Sequence, residues 1–407
     1  MRFFQMYLNS FRGLSREIWF LALVTFINRA GTMVVPFLSI YLKTSQHFSY
    51  EEIGWIMSAF GVGSMLGAWI GGKLTGKIGF YKVMYGSLFL SGVFFILLQY
   101  VHGLVPICLA VFFLMLVADT FRPASYVAIN AYSSEENKTR SISLLRLAIN
   151  LGFSFGPALG GMIIYRAGYS SLFWLDGITC ILAGILFLFL LNERSGKQEE
   201  QVVIQKSDSP YRDYPYLLLM FIVFLVGFTF LQYFSTIPLY YKEVHLLSEN
   251  QIGMLMFMNG FLIFLVEMPL IKFIEARQFS IYSILIISLV ILSLSFVVLN
   301  LFSSSGILIV GMLFMTFGEM FNFPFVNSIS LKRAKGKNTG DYMALFTMAF
   351  SLAHILGHNS GMQLVKTIGY YWTWYIMGGI LLLCIALIFW YKNLTQHEEH
   401  ELEKNDN

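Results

Sequence analysis

Asp119 and Arg122 stand three residues apart in an otherwise apolar stretch, a spacing that puts both on one helix face where they can neutralise each other. Two further arginines, Arg29 beside Asn28 and Arg146, also fall inside apolar stretches, while Asp176 stands near the end of another. Three deep cations against one deep acid, Asp119, leave positive charge over, which an anionic substrate group or an acid from elsewhere in the chain would offset. Glu319 follows Asp119 at an offset of 200 residues, and counting at about 1.5 Å per residue brings it to the same mid-membrane depth as His354. Placing a charge at a bilayer centre costs at least about 2.5–3.5 kcal/mol on insertion scales, so each of these residues is a functional candidate. Low-dielectric surroundings favour a protonated carboxyl, and histidine is the side chain most easily moved across neutral pH. Glu319 with His354 therefore suits proton uptake and release. Asn322 and Asn359 are neighbours that would instead tie the pair into a structural hydrogen-bonded cluster.

His354 and His358 have the i, i+4 spacing of a helical zinc site. The residue after the first is Ile355, where metalloprotease chemistry requires a glutamate, so no resident metal is expected. Glu319, His354 and His358 would still make a three-ligand set for a metal-ion substrate. No nucleophile–base pair can be assembled, so the expectation is a protein without cofactor that is not an enzyme.

The elements that must position these residues are set by composition. Apolar residues make up 57% of the chain and charged residues 12%, against roughly 25% charged in a soluble domain. Stretches of about 20 apolar residues, enough to cross roughly 30 Å of hydrocarbon, recur near 17–43, 53–76, 83–103, 104–131, 141–166 and 170–192, then near 215–241, 251–274, 280–301, 305–331, 341–367 and 372–392. The fold class expected is an all-α integral membrane protein of twelve spans, numbered here in that order. Lys and Arg outside the spans gather on the side holding both termini, with only Lys43, Arg166, Lys242 and Lys366 on the other, which predicts cytoplasmic termini and a multi-pass protein of the cell membrane. These loops account for the net charge of +4 without nucleic acid as a partner. Cys108, Cys180 and Cys384 all sit in apolar stretches with no CxxC pair, which argues against disulfides.

The chain repeats itself. Glu52-Ile53-Gly54-Trp55 answers to Gln251-Ile252-Gly253-Met254, and the step from Pro123 to Gly156 equals that from Pro324 to Gly357. The polar, mixed-charge run 193–213 then separates an N-terminal six-helix bundle, 1–192, from a C-terminal one, 214–392. The acidic tail, 393–407, reads as a solvated end. A duplicated helical bundle places a site between its halves.

Two motifs add specificity. After span 2, Gly72-Lys73-Leu74-Thr75-Gly76-Lys77-Ile78-Gly79 resembles the G-x-L-x-D-R-x-G signature of the major facilitator superfamily, with Gly76 where the acid belongs. The aligned position of the second repeat is Glu275. In span 5, Gly152, Gly156, Pro157, Gly160 and Gly161 form a G-x-x-x-G-P-x-x-G-G element similar to the antiporter motif of drug exporters. Glu319 with Pro324 in span 10 also resembles a pattern of exporter-like facilitators. The resemblance covers essentially the whole chain. It implies a monomeric, proton-coupled exporter of a small amphipathic or drug-like molecule, working by alternating access, with the glycine-rich motifs as gating elements. The Asn28-Arg29 pair faintly resembles the start of span 1 in proton-dependent peptide transporters, which keeps uptake by symport as the alternative. A non-transporting membrane sensor on the same fold is the third reading.

Overall fold

The computed structural model describes residues 13–134, 137–194, 209–301, 304, 306–334 and 339–405; the side chains of 138, 139, 275, 339, 340, 397 and 399–405 lie outside the described set. Among the described residues, ten helical segments are long and apolar enough to cross a membrane. Two of them, Arg140–Leu190 and Asp341–Gln396, are about twice the necessary length. Each breaks at one glycine in a conformation reserved for that residue, Gly168 at φ 78°, ψ 175° and Gly369 at φ 76°, ψ 173°. The breaks fall where the sequence separates span 5 from 6 and span 11 from 12, so twelve spans result.

Helix starts follow from local chemistry. Ser49 and Glu52 form a reciprocal capping box at the start of Tyr50–Ile78, in which the Ser49 amide donates to Glu52 Oε2 at 2.8 Å. Ser248 and Gln251 repeat it at Glu249–Ala276, where the Ser248 amide donates to Gln251 Oε1 at 2.9 Å. The Glu52/Gln251 repeat seen in sequence is thus a repeated start signal. Gly79, at φ 85°, supplies the reversal between spans 2 and 3.

The chain divides into two compact units, residues 1–200 with 241–264, and residues 201–240 with 265–407. The first takes in a segment that sequence reading counts with the C-terminal bundle. Its hold there is close backbone contact. A Cβ on Gly253 would collide with the Pro157 carbonyl, one on Gly260 would lie 2.8 Å from Ser154 Cβ, and Ser154 Oγ donates to the Phe257 carbonyl at 3.0 Å. Gly161 in turn has no room for a side chain against the Glu249 backbone.

Within the first unit, Leu21, Phe80, Met84, Phe121, Ala124, Leu144 and Phe187 pack a buried core that joins spans 1, 3, 4, 5 and 6. Three glycines a turn apart, Gly63, Gly67 and Gly71, lay span 2 directly on the backbone of span 4 at Phe112, Leu116 and Thr120. In the second unit, Asp213 caps span 7 by accepting from the Tyr216 amide at 3.1 Å. It also takes a forked pair of bonds from Arg333, Nε at 3.0 Å and Nη2 at 2.7 Å, and a bond from the Tyr342 hydroxyl at 2.8 Å. Arg333 Nη1 reaches Glu398 at 2.6 Å. The last helix runs on to Asn405, and Arg333 gives the partly exposed Glu398 a partner.

Candidate functional site

Span 1 is interrupted where it matters. The helix Arg16–Ala30 stops at Gly31 and a second helix, Val34–Thr44, begins three residues later. The fully buried Asp176 of span 6 accepts the amides of Met33 at 2.8 Å and Val34 at 2.7 Å, so its carboxylate satisfies the orphan donors of the new N-terminus. Asp176 is therefore committed to backbone. Arg29 is left in the last turn before the break, its guanidinium over the Phe153 ring at 5.4 Å, and its Nε has no hydrogen-bond partner among the described residues.

Span 4 breaks likewise. The helix Leu104–Ala118 ends at Asp119 and Thr120, and Phe121–Tyr132 resumes with Pro123 in its first turn, where a missing N–H costs nothing. Arg122 Nη2 lies 3.3 Å from Asp119 Oδ1, and Ser64 of span 2 donates to the other carboxylate oxygen. The Asp119 side chain is 5% exposed and that of Arg122 is 53% exposed, so the acid is sealed while the guanidinium keeps an open side.

Arg29, Arg122 and the exposed Arg146 of span 5 line one cleft, with Ser125 and Tyr126 among its other walls. Three arginines from three spans thus share a cleft inside the membrane-spanning part of one unit. Asn28 does not line it: the residue is buried, and its amide points at Cys180 of span 6 at 3.8 Å.

The glycines of span 5 make this approach possible. A Cβ on Gly152 would strike Arg29 Cβ and the Ala30 amide, one on Gly156 would come within 3.2 Å of the Ala30 carbonyl, and one on Gly160 within 3.0 Å of Met33 Cβ. Gly152, Gly156 and Gly160 therefore form the seat of span 1 at its break, while Pro157 and Gly161 meet the start of span 8. The loop motif is built differently. Gly72 and Gly76 face open space and Lys77 is exposed, so Gly79 is the member with a steric requirement. The Glu275 side chain lies outside the described residues.

In the second unit, Glu319 sits half-buried in Gly306–Ala334 and His354 half-buried in span 11. Phe323, one turn from Glu319, meets Phe350, one turn from His354, with ring centroids 5.9 Å apart, so these two helix faces adjoin. Asn322 turns elsewhere, donating to Ser288 of span 9 at 2.9 Å, and Asn359 is half-buried. The His354 and His358 rings lie 5.6 Å apart. His358 is buried with Nδ1 2.9 Å from Ser235 Oγ. No group of three or more His, Cys, Asp or Glu that could hold a metal occurs among the described residues.

Sequence reading missed Ser64, the capping role of Asp176, and a polar ladder at the 3-10 turn Leu231–Phe234 in span 7. There Gln232 donates to the Gly357 carbonyl at 2.7 Å and accepts from Thr236 Oγ1 at 2.6 Å. The signal was present: Gln232, Ser235 and Thr236 are polar residues inside an apolar span.

Comparisons with known proteins agree with this architecture. Residues 18–358 match the model of the Major Facilitator Superfamily. An uncharacterised MFS-type transporter of Bacillus subtilis, YqjV, is 24% identical, covering 95% of this chain and 97% of its own. A Na(+), Li(+), K(+)/H(+) antiporter of Planococcus maritimus is 21% identical over 90% of this chain and 93% of its own. Among solved structures, a POT family transporter in complex with 5-aminolevulinic acid superposes with a TM-score of 0.79 at 14% identity, covering 94% of this chain and 97% of that one. With twelve spans and a family model that matches most of its length, this multi-pass membrane protein is a transporter that belongs to the major facilitator superfamily.

Proposed function

We propose that the chain is a proton-coupled exporter of a small amphipathic or drug-like molecule, acting as a monomer in the cytoplasmic membrane with both termini inside. Alternating access of its two halves moves the substrate. One observation carries the reading: Asp119 is sealed by Arg122 and Ser64, whereas Glu319 is half-buried on a helix face that adjoins that of His354, with the Phe323 and Phe350 rings 5.9 Å apart. The fixed acid serves charge balance. Glu319, adjoining the His354 face, is the one suited to exchange its proton during the cycle.

The span 5 element supports export, since Gly152, Gly156 and Gly160 seat span 1 while Pro157 and Gly161 seat the start of span 8. The antiporter named among the relatives supports exchange against protons. Uptake by symport is the second reading, favoured by Asn28-Arg29 at the break of span 1.

The test is proton movement in proteoliposomes with an internal pH dye, across lipophilic cations, organic anions, short peptides and divalent metals. Proton flux opposite to one class is expected, and Glu319→Gln should abolish it while leaving the protein folded. Co-directional flux would establish symport, and wild-type coupling in Glu319→Gln would remove Glu319 from the mechanism. Absence of flux, with signalling intact when Asp119 and Glu319 are neutralised, would establish a sensor.

A further inference from the structure

The cleft at the break of span 1 is lined by arginines and by no acid. Its walls carry Arg29, Arg122, Tyr126 and Arg146 among mostly apolar side chains, and neither aspartate nor glutamate is among the described residues that line it. Arg146 has an interaction partner of its own. Arg29 and Arg122 are less fully engaged. Among the described residues the Arg29 guanidinium donates no hydrogen bond: Nε is enclosed without a partner, and the group lies over the Phe153 ring at 5.4 Å. Arg122 gives one nitrogen to Asp119 at 3.3 Å and keeps about half its side chain exposed. Arg29 is within electrostatic reach of both Arg122 and Asp119. Two cations thus share one carboxylate, and the positive charge left over is costly in surroundings of low dielectric. The hydroxyls of Thr25 and Ser125 are spent on the carbonyls of Leu21 and Arg122, each at 2.7 Å, so the Tyr126 hydroxyl is the neutral donor of the wall that remains.

The space is small. A cleft of about 30 Å³ holds one or two water-sized species, enough for a halide and too little for an organic acid with a hydrophobic body. A cation there would meet guanidinium groups and no carboxylate in the wall. We infer that this cleft binds one chloride-sized monovalent anion, held by Arg29, Arg122 and the Tyr126 hydroxyl, which neutralises the surplus charge beside the break of span 1. The site lies within one unit and depends neither on which substrate is carried nor on Glu319.

The experiment is the melting temperature of the purified full-length chain in detergent, with chloride exchanged at constant ionic strength for gluconate, an anion too large for the cleft. Chloride and bromide should each raise it saturably above its value in gluconate, and exchange of potassium for choline should leave it unchanged. Arg29→Gln should weaken the halide affinity by at least about tenfold, the loss of one charge-assisted contact. Tyr126→Phe, at an exposed position, should weaken it in the same direction by less. Lys82→Gln, exposed and away from the cleft, and Glu319→Gln, in the other unit, should respond to halide as the wild type does. Equal melting temperatures in chloride and gluconate would overturn the inference, since water would then fill the cleft. A halide response unchanged in both Arg29→Gln and Tyr126→Phe would also overturn it, because the ion would then bind elsewhere. Should Arg29→Gln fail to fold, Tyr126→Phe decides alone. A halide response that persists while proteoliposomes show no proton-coupled flux would remove the transport proposal and leave this site standing.

Discussion

The two halves share a backbone plan and differ in what they bury. Gly168 and Gly369 break their helices at nearly identical angles, and Ser49 with Glu52 and Ser248 with Gln251 start theirs by the same capping box. Yet at the offset of 201 set by Pro123 and Pro324, Arg122 and Arg146 correspond to Phe323 and Thr347, neither of them charged. The first half places three arginines and Asp119 in its spans, and the second holds Glu319, two imidazoles and a neutral ladder through Gln232. The repeat keeps the features that depend on backbone geometry, the turns and caps, while the side chains it buries differ between the halves.

The widest divergence is at the helix ends near the linker. In the second unit the cap of span 7, Asp213, is locked by Arg333; in the first, the cap of span 1, Ser15, donates a single bond to the Tyr132 carbonyl at 2.8 Å. Arg333→Ala leaves Asp213 buried and uncompensated and should cost about 3–5 kcal/mol, read as a large drop in melting temperature of the detergent-solubilised chain. A drop no greater than that of Ser15→Ala would show the two corners to be energetically alike. Next in size, Gly168→Ala and Gly369→Ala should each cost about 1–3 kcal/mol through backbone strain alone, because a Cβ at either site meets nothing within 4 Å. Unequal losses in the two variants would break the equivalence of the turns. Ser15→Ala itself should cost about 1 kcal/mol, the usual worth of a helix N-cap. Smallest of all, Gly76→Asp restores the acid of the loop motif at an open, exposed position and should shift stability by less than about 0.5 kcal/mol. A clear destabilisation there would mean that the loop after span 2 is packed more tightly than its open surroundings imply.

Much of the site was legible in sequence because an ionisable residue inside an apolar run is visible in one dimension. The pairing of Asp119 with Arg122 could be read directly from their spacing. The partners were not legible. Asn28 sits next to Arg29 in the chain but faces Cys180, since adjacent helical residues point about 100° apart. Asp176 read as an acid of uncertain purpose because the amides it caps are 142 and 143 residues away. Nothing in a run of acids announces that an arginine 65 residues earlier bonds to Glu398.

By itself the sequence determined the number of spans, the repeat and the inventory of buried charge, because bilayer thickness and the cost of burying charge act on local composition. Only the tertiary structure decided which helix faces meet. A helix such as Leu104–Ala118 is apolar on every side, so no amphipathic stripe encodes its rotation. That rotation is set by close contacts, Gly63, Gly67 and Gly71 against span 4 and Gly152, Gly156 and Gly160 against span 1, and it is what brings three arginines from three spans to one cleft.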